Sequence, residues 1–279
     1  MADPSIDLST TLPIDPVLGQ RLLDILAPAV ELEDNFVAQH RLPVHAQSRL
    51  RADESVGNAA SAFRTASIAV VGALDHLCTW HQLIAGDLNR FPLRTFSPYT
   101  LARAAYEPAL LTLWLLDSDA SSAERIGRGY AAQLRSLREV RKFQAAVGMT
   151  GDSANATALH QRLFNGARAA GYVTTDAKGV ERLTVNVPPM VDLFNRYDQP
   201  TPAASQPEWL YRFLSGHAHG FEWAMIRGAT EADLDGFDTD KFMIPVDLLL
   251  LCHLADRTVA VVSRAVAAHL RYRTDPLPG

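Results

Sequence analysis

Cysteine occurs only twice in 279 residues, at Cys78 and Cys252, each inside an apolar stretch. Two isolated thiols build neither a disulfide framework nor the paired C-x-x-C of a zinc site, so they read as small buried hydrophobes. Long apolar runs are also missing. The richest, VDLLLLCHLA, carries Asp247 and His253 and falls well short of the roughly 18 residues a membrane span needs. The opening MADPSIDLSTTLPIDP is polar and acidic, without the basic start and apolar core of a signal peptide. A cytoplasmic location is the expectation. Positive charge is not in excess either: the net charge of −5 argues against a general nucleic-acid coat but leaves room for a local basic patch. With 48% hydrophobic and 20% charged residues, the chain can bury a sizeable core.

Several chemistries lack their motifs. There is no G-x-x-x-x-G-K-[ST] loop, no G-x-G-x-x-G and no G-x-S-x-G elbow, so a nucleotide on a Gly-rich loop or an α/β-hydrolase nucleophile is not expected. No glutamate has a histidine three residues later, as the carboxylate-bridged di-iron bundles require. The acidic run EADLDGFDTDK imitates a calcium loop through Asp233, Asp235 and Gly236. It fails at the last ligand position, where Phe242 replaces the bidentate glutamate. In DHLCTWH, Cys78 and His81 share a helical face, but His76 and His81 diverge by roughly 140°, so interhelical hydrogen bonding is the better reading. No metal or cofactor is expected.

What remains is helical periodicity. A helix is predicted over 16–40, kinked or split by Pro28. A long helix is predicted over 47–85, whose middle, AFRTASIAVVGALDHLCTW, is apolar nearly all round and reads as the central buried helix. A third runs from Ser97, as N-cap before Pro98, to about Asp117. The fourth opens on a capping box, Ser121 with Glu124, and runs to Val147 before Gly148. A helix over 153–170 leads to YVTTDAKGVERLTVNV, which alternates as a small hairpin near 171–187 should. A short helix in PPMVDLFNRYD and helices over 207–227 and 245–272 complete the chain. The expected fold is all-α: a bundle of long antiparallel helices with a small β-hairpin insertion, one domain over 14–279 after a disordered tail over 1–13.

Inside this plain pattern lies YRFLSGHAHGFEW, residues 211–223. At about 3.6 residues per turn, Arg212, Ser215, His219 and Glu222 form one polar stripe. His217 falls on the other face with Leu210, Phe213, Leu214, Phe221 and Met225. On the third helix, Arg103, Tyr106 and Glu107 stand together in apolar surroundings. Arg and Glu are rarely buried unpaired, so Arg103 and Glu107 are expected to be largely buried, paired within their helix and able to reach the Arg212–His219 stripe. The fourth helix carries Arg125, Arg128, Arg135, Arg138 and Lys142 close to one line, which could track a phosphate backbone or face acidic segments of the chain.

The R-x-x-x-E inside an apolar helix, the Arg-rich helix and the YR-x-L-S-x-x-x-HG segment together resemble a group of bacterial helical proteins. More loosely they resemble the HEPN superfamily of helical ribonucleases, whose motif is an arginine, four to six residues, then a histidine. Arg212 is followed by His217 and His219 at those spacings, with Phe213 where the family carries a polar residue. The resemblance covers at most residues 97–147 and 207–273. It implies metal-independent RNA cleavage across a homodimer, with His219 as general acid/base, Arg212 stabilising charge on the phosphate and Ser215 orienting one of them. Tyr106, Tyr211, His217, Glu222, Arg103, Glu107, Arg128 and Arg135 would support or bind the substrate. Two other readings stay open: a non-enzymatic helical interaction protein that dimerises, and a small-molecule or metal site inside the bundle lined by Tyr106, Glu107, His219 and Glu222.

Overall fold

The computed structural model describes residues 15–58, 60–87, 97–198, 207–219 and 247–276. The chain is all-α with one small antiparallel hairpin. Its elements are α1 (Pro16–Leu26), α2 (Pro28–His40), α3 (Arg49–Val56), α4 (Ala60–Asp87), α5 (Ser97–Leu115), α6 (Ser122–Ala146), α7 (Thr150–Ala169), β1 (Val173–Thr175), β2 (Glu181–Leu183), α8 (Met190–Tyr197), α9 (Pro207–Ala218) and α10 (Leu248–Thr274). The tail over 1–13 and the acidic run 231–241 lie outside the described residues.

Local chemistry sets most boundaries. Asp15 caps α1 through the backbone N–H groups of Val17 and Leu18. Pro28 splits the first predicted helix by taking the first position of α2, where its missing N–H costs nothing. The capping box forms as read: Ser121 Oγ accepts from Glu124 N, and the Glu124 carboxylate accepts from Ser121 N at 2.7 Å. Gly148 follows α6 at φ 74°, a conformation open to glycine, while Met149 N closes back onto Gln144 O. In the hairpin, Val173 pairs with Leu183 and Thr175 with Glu181. Asp176 Oδ1 accepts from Lys178 N and Val180 N to fix the turn.

The predicted helix over 47–85 is in fact two. α3 ends at Val56, and Gly57 is extended, at φ 177°. Ser48 caps α3 by accepting from Arg51 N. The break turns α3 so that Asp53 is fully buried against α6 and α10. α4 is central, packing on α1, α2, α5, α6 and α10, but it is not buried all round. Ile68 is 65% exposed and Val71 54%, on a stripe with the exposed Arg64 and Asp75.

One continuous cluster of buried apolar side chains runs from Leu22 on α1 to Tyr272 on α10. Cys78 and Cys252 lie in it. Burial pushes the Cys78 thiol up to about 12, so it stays a protonated packing group. α6 crosses α4 at backbone contact: a Cβ on Gly129 would sit 2.5 Å from Ala62 N, which no side chain can occupy. α7 packs mainly on α6. α10 is tied to the N-terminal helices by Arg273, which donates to the Gln39 and His40 carbonyls and to Leu42 O at the end of α2, where a cation is favoured.

Candidate functional site

α9 sorts its two histidines as its winding requires. His217 is 8% exposed and stacks on the Tyr99 ring at 3.9 Å, with Phe213 edge-on at 4.5 Å. Burial drives it down to about 4, so it is neutral at physiological pH. His219 and Arg212 are exposed and Ser215 is half-buried. His219 N still donates to Ser215 O at 3.1 Å, so the helical stripe continues to the histidine. Arg212 also holds Glu208, one turn back, at 2.6 Å, with its side chain 69% exposed. Glu222, Phe221 and Met225 lie outside the described residues.

The residues on α5 do not join that stripe. Arg103 Nε donates to Glu107 Oε1 at 2.6 Å within the helix, as expected, but the two side chains are 21% and 27% exposed. They are half-buried rather than sealed, because α9 meets α5 through Tyr99, Phe213 and His217 and leaves this edge uncovered. Glu107→Ala should therefore lower stability by only about 1 kcal/mol, within the range of partly exposed i,i+4 pairs. A loss above roughly 3 kcal/mol in urea titration would show the pair to be sealed from water. Tyr106 is fully buried, stacked on Phe194 at 4.8 Å. Its hydroxyl is pushed up by burial and by the nearby Asp198. Tyr211 meets the same Phe194 ring at 5.5 Å. Tyr106, Tyr211 and His217 thus pack the α5–α8–α9 interface.

The basic line on α6 is two different things. Arg125 and Arg128, 4% and 7% exposed, lie where α6 packs on α3, α4 and α5. Arg125 forms a fork onto Asp53, Nε to Oδ2 at 2.6 Å and Nη2 to Oδ1 at 2.7 Å, and Tyr272 Oη adds a third bond to the same carboxylate at 2.6 Å. Burial alone would raise the Asp53 carboxyl, but the bonds from Arg125 and Tyr272 outweigh it and hold it below the usual range. Arg128 Nη1 donates to Trp114 O at 2.6 Å and approaches Asp117 Oδ2 at 3.5 Å. These two arginines cannot track a phosphate backbone. Arg135, Arg138 and Lys142 are exposed, farther along the helix.

Three constellations had no motif to announce them. Asp117, at the end of α5, is the second carboxylate hub: it accepts from Arg196 Nη2 at 2.8 Å and Tyr197 Oη at 2.7 Å as well as from Arg128. Arg257 on α10 pairs with Asp198 just after α8, both nearly buried. The third resembles a nucleophile and its base: Ser67 Oγ lies 2.8 Å from His269 Nε2. Ser67 Oγ also has Phe63 O as an acceptor at 2.8 Å, which competes with the imidazole for its single proton. His269 is wholly buried between Phe36 and Phe63 and burial drives it down to about 3. The pair is structural.

Among the described residues no group of three or more His, Cys, Asp or Glu side chains is placed to hold a metal ion, and no helix is long and apolar enough to cross a membrane. Compared with protein-family models, with curated proteins and with solved structures, the chain matches none.

Proposed function

We propose that the chain is a HEPN-like ribonuclease that acts without a metal ion, with the α9 stripe as its reactive surface. One observation carries this reading: α9 and the turn after it present Arg212 and His219 to water on one line with Ser215 between them, while the helix packs His217 into the core. Glu208 does not withhold Arg212. An exposed i,i+4 ion pair is worth only about 0.3–0.5 kcal/mol, so the guanidinium can exchange from the glutamate onto a phosphate. In the proposed reaction the RNA 2′-hydroxyl gives its proton to the His219 imidazole as the 2′-oxygen bonds to phosphorus. The bond from phosphorus to the 5′-oxygen breaks, and the imidazolium returns the proton to that oxygen. Arg212 faces the charge that grows on the non-bridging oxygens. The products are a 2′,3′-cyclic phosphate and a 5′-hydroxyl.

A second reading, a helical protein that dimerises without catalysis, draws on the α6–α7 arm. Val140, Phe143 and Val147 share one face of α6 and are 38%, 62% and 52% exposed, beside Met149 and Leu159 at 44% and 40%. One experiment separates the two. Purified protein is incubated with a mixed RNA pool in EDTA across pH 6–8, and product ends are typed. Cleavage to cyclic phosphates is expected. His219→Ala should abolish it with the unfolding midpoint unchanged, while His217→Ala should act by lowering stability. Intact RNA at every pH, with a sedimentation mass that halves in Phe143→Glu, would replace the ribonuclease with the dimerising scaffold.

A further inference from the structure

A cleft of about 510 Å³ opens between the end of α5, α8, the start of α3 and the last turns of α10. Its size is that of a site for a small organic ligand, and it shares no residue with the α9 stripe. Three arginines from three helices line it: Arg49, Arg196 and Arg271. Arg196 is fixed by Asp117, and Arg49 is steadied by Ser118 O at 3.1 Å. Arg271 is exposed and enters no ion pair within the described residues.

Three carboxylates, Asp117, Asp119 and Asp275, line the cleft beside the three guanidinium groups, and they are engaged in different ways. Asp117 is shared by Arg196 and the buried Arg128, so one anion answers two guanidinium groups, and its own carboxyl stays below the usual range because the bonds from Tyr197 and its neighbours outweigh burial. Asp119 and Asp275 lie on the exposed rim. Asp119 already accepts from Ser118 Oγ and Asp275 from Thr274 Oγ1, so both act here as acceptors for hydroxyls. Leu113, Leu116 and Ala268 supply an apolar wall.

Guanidinium groups select an oxyanion, and rim carboxylates select hydroxyl donors. We infer that this cleft is a binding site for a phosphorylated sugar, its phosphate held by Arg49, Arg196 and Arg271 and its hydroxyls by Asp119 and Asp275. The same chemistry occurs in a free sugar phosphate and in a mononucleotide. An apolar ligand would desolvate the guanidinium groups, and an unphosphorylated sugar would leave Arg271 without an anion among the described residues.

Isothermal titration of the full chain with ribose 5-phosphate, adenosine 5′-monophosphate and ribose tests the site. Ribose 5-phosphate should bind one to one, and ribose should not bind. Arg271→Ala and Arg49→Ala should each weaken the phosphate ligand at least tenfold, while Arg182→Ala on the exposed hairpin, outside the cleft and the α9 stripe, leaves it unchanged. Equal affinity for the two phosphates identifies the sugar phosphate as sufficient, and tighter binding of the monophosphate identifies a nucleotide. Neither phosphate binding, or binding that survives Arg49→Ala/Arg271→Ala in a chain that still unfolds at the wild-type midpoint, would overturn the inference. Because the cleft shares no residue with the α9 stripe, the outcome is independent of whether that stripe cleaves RNA.

Discussion

Asp53→Ala should cost about 3–5 kcal/mol of stability, the loss expected when one member of a buried ion pair is removed. For a chain of this size that lowers the thermal midpoint by on the order of 10 °C. The reason lies in what is left behind. Asp53 and Arg125 have side chains 0% and 5% exposed, so the substitution strands a guanidinium that retains only neutral acceptors such as Ala120 O and Ser122 Oγ. It also leaves the Tyr272 hydroxyl without its acceptor. The pair itself is not a large net gain, since two ions were desolvated to make it. Asp53→Leu combined with Arg125→Met should therefore recover most of the loss. A single Asp53→Ala variant within about 1 kcal/mol of wild type in urea titration would mean that water reaches Arg125 and that the three-helix junction of α3, α6 and α10 is open.

Acid should weaken the fold well above the pH at which carboxylates titrate. In the unfolded chain His217 and His269 take up protons near 6.5; folded, they do so only at about 4 and about 3. Between these values the unfolded state holds more protons, so stability falls as the pH drops. Each histidine contributes a slope of about 1.4 kcal/mol per pH unit. From pH 7 to pH 5 the two together should remove about 4 kcal/mol, a large share of the roughly 5–15 kcal/mol a domain has. Asp53 acts in a lower window: its folded carboxyl titrates below its ordinary 3.8, so its contribution is present above that value and is lost only as the pH falls further. His217→Phe and His269→Phe keep rings against Tyr99 and Phe63 and should flatten the curve between pH 7 and 5. If wild type and the double variant lose stability equally over that interval, neither imidazole is held neutral by burial.

The arginines of α6 show where the sequence stops being informative. Spacing placed Arg125 and Arg128 on one line with Arg135, Arg138 and Lys142, and a linear pattern cannot tell a solvated line from a buried one. The packing partner decides: in the half of α6 that crosses α4 at Gly129, Arg125 meets Asp53 of α3 and Arg128 meets the Trp114 carbonyl of α5. The signal was present in a weak form. Charged residues inside small-residue or apolar runs, such as Arg125 in ERIGRGYAA and Arg257 in LADRTVAVV, need a partner when buried. Nothing local says that the partners are Asp53 and Asp198, 72 and 59 residues away.

By itself the sequence determined most of the helices, the hairpin, the caps at Ser121 and Gly148, the division at Pro28, and the opposite facing of His217 and His219, because each follows from a period or a side chain acting within a few residues. Only the tertiary structure decided that Gly57 breaks the long helix to sink Asp53, that Arg103 and Glu107 remain half-exposed and apart from Arg212, and that Arg49, Arg196 and Arg271 line one cleft. Those outcomes depend on which helix crosses which and how closely, a property of the packed interior that no local pattern encodes.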